Sequence, residues 1–438
     1  MEMTFPKYRK LAGSNSVYAI EGTHHVTEWQ PMGSEGWIVH RHFASDYPRF
    51  VWIREMEQCS GDFESLTSNE WKELIAARHE HQPTEAIGRN LDPLSHPEEC
   101  SFNWAMAERT TFGVEASARA CAEVRSDAGV RWALCEAQRQ TWPLMILGGG
   151  SNILMHSDWP GLVMHMNIRG VEVIYEEGNV VHATVGAGEN WHDWVMLATQ
   201  NGWHGLENLA LIPGSVGASP MQNIGAYGVE LKDRFLWLEA INRETGALQR
   251  FDHEACQFGY RQSIFKAEER ERWVIVRVAF ALDRDAPLCT EYGAIQSELE
   301  AMGVAESATH FDVAQAVMNI RRSKLPDPNE LGNAGSFFKN PVISREAFQK
   351  VLANHPKVVH YALESGQVKL AAGWLIEQAG WKGYRKGSCG VHDRQALVLV
   401  HYGGGTGAEL WNLAQSIMED VKQKFGVQLE PEVNQVGV

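Results

Sequence analysis

Residues 205–231 read GLENLALIPGSVGASPMQNIGAYGVEL. The stretch is long, dense in small residues and almost free of charge. Gly214, Gly217, Gly225 and Gly228 alternate with Ser, Ala and Asn. Small residues let a main chain hug a large flat ligand, a reading that outweighs a plain Gly-rich loop between strands. The flanks are mixed α/β. Upstream, PLMILGGGSNIL is a buried strand running into a glycine turn, and VVHATVGAG is another strand. NWHDWVMLATQNG predicts a helix with Trp191, Trp194, Val195 and Ala198 on one face and Gly202 at its C-terminal stop. A second α/β block is expected from 311, ending in a helix and a final strand over LWNLAQSIMEDVKQKFGVQLEPEV.

The totals bound the class. A chain of 438 residues is too long for one ordinary core. Hydrophobic content of 44% and charged content of 21% are those of a soluble globular protein. The formal net charge of −16 argues against nucleic-acid or anionic-membrane partners, which need a positive surface. Seven dispersed cysteines without a CxxC pair exclude a disulfide framework and a zinc ribbon. The start MEMTFPKYRK has no apolar signal core and no long apolar run follows, so a cytoplasmic protein is expected.

Residues 1–83 read as a small independent α+β module. SVYAIEG, HVTEWQ and GWIVHRHFA are β-prone runs of an antiparallel sheet. SLTSNEWKELIAARHEH predicts a helix, with Thr67 and Glu70 at capping-box spacing and Trp71, Leu74 and Ile75 on one face. His24, His25, His40 and His42 lie here, but no Cys or carboxylate is spaced to complete a metal site, so no metal is expected. Residues 84–104 lack periodicity and read as a linker.

Several stretches carry chemistry. In GGGSN, Gly148, Gly149 and Gly150 can curl so that successive N–H groups bind phosphate, with Ser151 and Asn152 adding donors. A plain tight turn is an equal alternative. FGYRQSIFK places Tyr260 and Arg261 among aromatic residues, where the arginine fork suits a carboxylate or an ordinary ion pair. RRSKLPDP is a cationic cluster in which Arg321 and Lys324 can share a helix face. GNAGSFFKNP sets Ser336 between flexible backbone and two phenylalanines, as a turn cap or a proton donor in a dry pocket. In LEPEV, Glu432 and Glu430 are expected on one side of a strand.

Together, from TTFG at 110–113 to LEPEV at 429–433, these stretches resemble the UDP-N-acetylenolpyruvoylglucosamine reductase family. ILGGGSNIL, VGAGENWHDWV, GLENLALIPGSVGASPMQNIGAYGVEL, FGYRQSIFK, KLPDPNELGNAGSFFKNP, VKLAAGWLIEQAG and LEPEV carry the resemblance. TEYGAI around Tyr292 and the KLPDP run look like the type with an extra tyrosine loop.

The resemblance implies an α+β protein with a vanillyl-alcohol-oxidase (PCMH-type) FAD-binding domain of two α/β lobes over 105–284, a tyrosine loop or connector over 285–310 and a C-terminal α/β substrate domain over 311–438. It implies non-covalent FAD, with NADPH as hydride donor. The implied reaction converts UDP-N-acetyl-3-O-(1-carboxyvinyl)-glucosamine to UDP-N-acetylmuramate for the peptidoglycan cell wall. Arg261, Ser336 and Glu432 are the implied catalytic residues. Arg261 would stabilise the enolate and Ser336 would protonate it. Glu432 fits if protonated, or if it holds Arg261 or a water. Tyr260, Tyr292, Arg321, Lys324, Asn340 and Lys369 are implied for the substrate. Gly148, Gly149, Gly150, Ser151, Asn152, Pro213, Gly214, Gly217, Ala218, Asn223, Gly225 and Ala226 are implied for the cofactor. There are two departures. Residues 1–100 have no counterpart in the family, leaving the first module with a partner of its own to bind, and Asn434 stands where an arginine near the flavin is expected.

Overall fold

A computed structural model describes residues 100–437 except 268 and 364, and, before them, six strands together with Thr67 and Glu70. The chain divides into two compact units, Met1–Asn90 and Leu91–Val438.

In the first unit the strands Lys7–Leu11, Val17–Gly22, His25–Met32 and Gly36–Phe43 form an antiparallel meander. Phe63–Leu66 adds antiparallel at one edge and His79–Glu80 parallel at the other. The antiparallel sheet therefore matches the expectation. So does the capping box: the Thr67 backbone N–H donates to Glu70 Oε2 at 2.8 Å and the Glu70 N–H donates to Thr67 Oγ1 at 3.2 Å. The helix body with Trp71, Leu74 and Ile75 lies outside the described residues, as do His24 and linker positions 84–99.

The second unit starts earlier than the expected linker allows. Cys100–Ala105 is a strand that pairs antiparallel with Ser117–Val124, because its backbone groups find ladder partners from Cys100↔Ala122 to Ala105↔Ser117. Residues 100–104 are thus a sheet edge. Next in that sheet come Trp159–Met166 and Leu144–Leu147, both paired in parallel. The helix Asp127–Gln140 covers the sheet, capped by the Ser126 hydroxyl, which accepts from the Gly129 N–H. Ala120, Ala122, Val130, Ala133, Leu162 and Met164 fill the space between.

A second sheet is antiparallel, in the order Val171–Glu177, Val180–Gly186, Trp273–Asp283, Phe235–Asn242, Leu248–Asp252. The expected helix packs on it as Trp191–Gln200, with Trp191, Trp194, Val195 and Ala198 buried and Gly202 at φ +71° just past its end. Two further helices, Gly293–Met302 and His310–Lys324, close the same core through Ile295, Leu299, Val313, Ala314 and Val317. This corrects two boundaries. The segment 285–310 is not only a connector, since it holds a helix of the second lobe. The helix beginning at His310 belongs to that lobe and not to the C-terminal domain, because its apolar face matches the lobe's sheet.

The C-terminal domain has its own core, built on the helices Arg345–Asn354, Ala372–Gln378 and Gly407–Phe425 and two small sheets. It is tied back to the first lobe. The buried His401 Nδ1 lies 2.9 Å from the Phe112 carbonyl, and the last strand, Asn434–Val436, pairs in parallel with Ile153–Met155. LEPEV is not a strand, as was expected, but an extended segment bridged to Phe338 at Pro431. Among the described residues no helix is long and apolar enough to cross a membrane.

A chain beginning at Leu91 is expected to keep the far-UV dichroism and melting temperature of the second unit. One beginning at Ala107 loses the edge strand, exposes the Ser117–Val124 ladder and should melt lower. Thermal denaturation of both chains checks this; equal midpoints would show that the strand contributes nothing.

Candidate active site

Two glycine loops meet where the lobes join. A side chain at Gly148 would put Cβ 2.3 Å from Ser215 Oγ, and one at Gly149 would lie 2.9 Å from Gly214 Cα. Gly150, at φ +62°, would drive Cβ to 1.9 Å from the Arg109 carbonyl. The glycines therefore let the 148–151 and 213–215 backbones touch. The loop 213–217 is pinned from below: the Val216 N–H donates to Glu189 O at 2.9 Å and the Gly217 N–H to Ala187 O at 2.8 Å. Gly217 has no room for a side chain against Ala187. The N–H groups of Gly149, Gly150 and Ser151 meet no protein acceptor among the described residues. Unpartnered amides on a glycine nest are the donor set that a dinucleotide diphosphate requires, so the residues present fit FAD. Pro213 and Ala218 are exposed beside them, and Gly214, Gly225 and Ala226 are half-buried.

Two expected cofactor residues have other duties. Asn223 is fully buried. Its amide nitrogen donates to Glu230 Oε2 at 3.0 Å and Gly259 O at 3.1 Å, and its oxygen accepts from the Lys232 N–H at 3.1 Å. Its side chain ties the small-residue segment to the arginine loop. The Asn152 amide donates to Glu432 O at 3.2 Å, and its carbonyl receives both the backbone N–H and the side-chain amide of Asn434 at 3.1 Å. Asn434 thus fastens the C-terminal strand to the glycine loop.

The expected catalytic residues come together from separate loops. Arg261 sits at φ +54°, a left-handed conformation that bulky residues avoid. Leu211, Asn223 and Tyr227 share that property. The Arg261 Nε forms an ion pair with Glu432 Oε1 at 3.1 Å, and Nη2 donates to the Gly225 carbonyl at 2.9 Å. Nη1 has no protein partner among the described residues, so one edge of the fork is open. Glu432 holds Arg261, one of the three readings left open by the sequence. Its Oε1 also accepts from Gln222 Nε2 at 3.3 Å. The two side chains are 25% and 13% exposed, so the pair is substantially desolvated. Glu430, expected on the same side, instead points to solvent and pairs with Lys339 at 3.2 Å.

Ser336 precedes the residue whose backbone is bonded to Glu432. The Glu432 N–H donates to Phe337 O at 2.8 Å and the Phe337 N–H donates to Leu397 O at 2.8 Å. Phe337 and Phe338 are buried in the C-terminal core, with Phe337 edge-on to Phe112 at 6.2 Å. They anchor the segment and do not roof the serine, which is exposed; its hydroxyl has no protein partner among the described residues. The dry-pocket expectation is corrected: in this structure nothing in the serine's own neighbourhood along the chain excludes water.

Tyr260, Asn340 and Lys369 form one cluster. Lys369 Nζ lies 4.6 Å from the Tyr260 ring centroid, and Asn340 acts on the Tyr260 phenol. Burial pushes the Tyr260 phenol above its ordinary pKa. Asn340 Oδ1 also accepts from the Ala372 N–H at 2.9 Å. Arg321 and Lys324 stand on the last turn of their helix. Arg321 reaches inward, donating to Leu211 O at 3.2 Å, whereas Lys324 is exposed. Tyr292 is exposed and edge-on to Tyr227 at 5.5 Å. Sequence reading missed Gln222, which donates to Glu432, and Lys266, which donates to Gln222, although both fall in stretches quoted above.

Residues 118–252 match the family model of an FAD binding domain, and residues 327–436 match that of the UDP-N-acetylenolpyruvoylglucosamine reductase C-terminal domain. The second match starts after the helix His310–Lys324, in keeping with the boundary drawn from the core. UDP-N-acetylenolpyruvoylglucosamine reductase of Pseudomonas fluorescens strain Pf0-1 is 53% identical over 324 residues, spanning 74% of this chain and 95% of that protein. That of Chromobacterium violaceum is 49% identical over 323 residues, spanning 74% and 94%. Among solved structures, UDP-N-acetylenolpyruvylglucosamine reductase from Thermus caldophilus superposes with a TM-score of 0.52 at 21% identity, covering 77% of this chain and 98% of that one. At that identity the superposition speaks for the fold alone, in keeping with the expected α+β architecture. The chain belongs to the UDP-N-acetylenolpyruvoylglucosamine reductase family.

Proposed function

We propose that this chain reduces the enolpyruvyl double bond of UDP-N-acetyl-3-O-(1-carboxyvinyl)-glucosamine to give UDP-N-acetylmuramate in peptidoglycan precursor synthesis. The observation that carries the mechanism is the Arg261–Glu432 pair, with one guanidinium edge open, beside an unpartnered serine hydroxyl. Hydride transfer from NADPH to the terminal vinyl carbon is the chemistry that FAD supplies when bound. The open amides of Gly149, Gly150 and Ser151 would hold its diphosphate.

The chain's own residues manage charge and proton. Hydride arrival leaves negative charge on the carbon beside the carboxylate. The free edge of Arg261 takes that carboxylate, and the guanidinium stabilises the enolate into which the charge spreads. Glu432 and the Gly225 carbonyl hold two of its N–H groups, so the fork meets the substrate in one orientation. Ser336 Oγ gives its proton to the carbanion carbon and recovers one from solvent. Its hydroxyl has no competing protein acceptor among the described residues, and its exposure gives the solvent access that reprotonation needs. Lys369, Asn340 and Tyr260 would bind the nucleotide-sugar phosphates and sugar, with Arg321 and Lys324 adding charge and Tyr292 lying over the substrate. The first unit lies outside both family-model matches and is proposed as an accessory module with a binding partner of its own. The reaction is proposed to run in the cytoplasm, where NADPH is available.

Purified protein should be yellow, with flavin bands that vanish on anaerobic addition of NADPH and return on addition of the enolpyruvyl sugar. Acid should release the flavin, since no Cys or His stands in the glycine loops to bond it. A colourless protein that takes up no FAD would falsify the function.

A further inference from the structure

Lys266 has no part in the mechanism above, yet it is built into its centre. It ends the single turn Ile264–Lys266, whose Ile264 and Phe265 are buried in the second-lobe core and fix the backbone. Its ammonium donates to Gln222 Oε1 at 2.7 Å. The other end of that amide donates to Glu432 Oε1, the oxygen that also receives Arg261 Nε. An ammonium only donates, so it claims the oxygen end of the amide and turns the nitrogen end toward the carboxylate. Ammonium, amide, carboxylate and guanidinium thus form one chain of four side chains.

The charged groups facing Lys266 are Glu432, which favours its charge, and Lys339, Arg261 and Arg270, which oppose it. Lys339 is already paired with Glu430. Burial, the largest influence, pulls the Lys266 ammonium below its ordinary pKa. No carboxylate among the described residues lies within ion-pair distance of Lys266 Nζ. A half-buried cation bonded to a neutral amide adds little stability, and an apolar side chain would fill the place at lower cost.

We infer that Lys266 is a positioning residue for the reduction: through Gln222 it holds the Glu432 side chain in its orientation, so that the open edge of Arg261 is aimed at the substrate carboxylate. This rests on the reaction proposed above.

The test uses the flavin-loaded full chain with Lys266→Met, Lys266→Arg, Gln222→Ala and the Lys266→Met/Gln222→Ala double variant. Anaerobic stopped-flow reads the two half-reactions. Flavin content and reduction by NADPH are expected within about twofold of wild type. Reoxidation by the enolpyruvyl sugar is expected to slow about 10- to 100-fold in Lys266→Met, the range for one lost hydrogen bond to a charged group. Lys266→Arg, which keeps the charge, should recover most of that rate. The double variant should be no slower than the slower single, because both changes cut the same chain. A lysine that only supports the fold would lower flavin content and slow both half-reactions together.

Reoxidation of Lys266→Met within twofold of wild type overturns the inference. So do losses that multiply in the double variant, or an NADPH step slowed as much as the sugar step. Wild-type protein in the same experiment separates the two readings: no reoxidation by the sugar overturns the reaction itself, whereas normal wild-type reoxidation with an unaffected Lys266→Met overturns only the positioning role.

Discussion

With Ser336 replaced by alanine, NADPH should still bleach the flavin at close to the original rate, while reoxidation by the enolpyruvyl sugar slows by at least about 10²-fold, the lower end for loss of a positioned general acid. The two halves separate because the hydroxyl touches nothing else. It has no protein hydrogen-bond partner among the described residues, and the backbone that carries it is anchored by Phe337 and Phe338 in the C-terminal core. Alanine keeps those anchors and removes only the proton donor. Ser336→Cys should recover part of the rate, since a thiol can donate. Anaerobic stopped-flow absorbance measures each half. Reoxidation of the alanine variant within about twofold of wild type, a gap far below the general-acid range, would mean that water or another group protonates the carbon. The exposure of Ser336 makes that outcome a real competitor and the experiment decisive.

Arg261→Ala should lose about 10²- to 10³-fold in the same half-reaction, the effect of removing one donor set from a developing oxyanion. The loss has two sources. The enolate loses its cation, and Glu432 loses its 3.1 Å ion-pair partner and so presents an uncompensated carboxylate to an anionic substrate. The double variant Arg261→Ala/Glu432→Gln should therefore be faster than Arg261→Ala alone. Arg261→Lys keeps the charge but not the fork, and is expected to fall between wild type and Arg261→Ala. Because Nη2 also braces the Gly225 carbonyl, flavin content is measured alongside. If Arg261→Ala with full flavin reoxidises at near the wild-type rate, the arginine is a loop brace only.

Particular residues show what was legible beforehand and what was not. The stripe Trp191, Trp194, Val195 and Ala198 was read as a helix face and is one, and Thr67–Glu70 was read as a capping box and is one. Both are rules of three or four residues, expressed wherever the local chain is helical. The glycines at 148–150 were read as a nest of N–H groups or a tight turn; the structure leaves the amides of Gly149, Gly150 and Ser151 unpartnered among the described residues and also brings Gly148 and Gly149 against the 213–215 loop, an approach that was not read. The misreadings share a cause. Residues 100–104 lack periodicity, yet form an edge strand because Ser117–Val124 offers a ladder. The helix from His310 looked like the start of a new domain, but the surface its apolar face fits belongs to the lobe before it. Phe337 and Phe338 looked like a lid because they adjoin Ser336, and they point into the core.

The sequence by itself determined the family, the glycine-lined loops and the residue types of the reaction, since those are written in contiguous stretches whose order survives without any contact being known. Tertiary structure alone decided who meets whom. Asn152 reaches Glu432 across 280 residues, Gln222 reaches Glu432 across 210, and Lys266 returns to Gln222 across 44. No period encodes such pairs. They follow from the closing of two lobes and a third domain around one point, where packing of buried faces brings the loops together and where Leu211, Tyr227 and Arg261 take a left-handed backbone conformation that bulky residues disfavour.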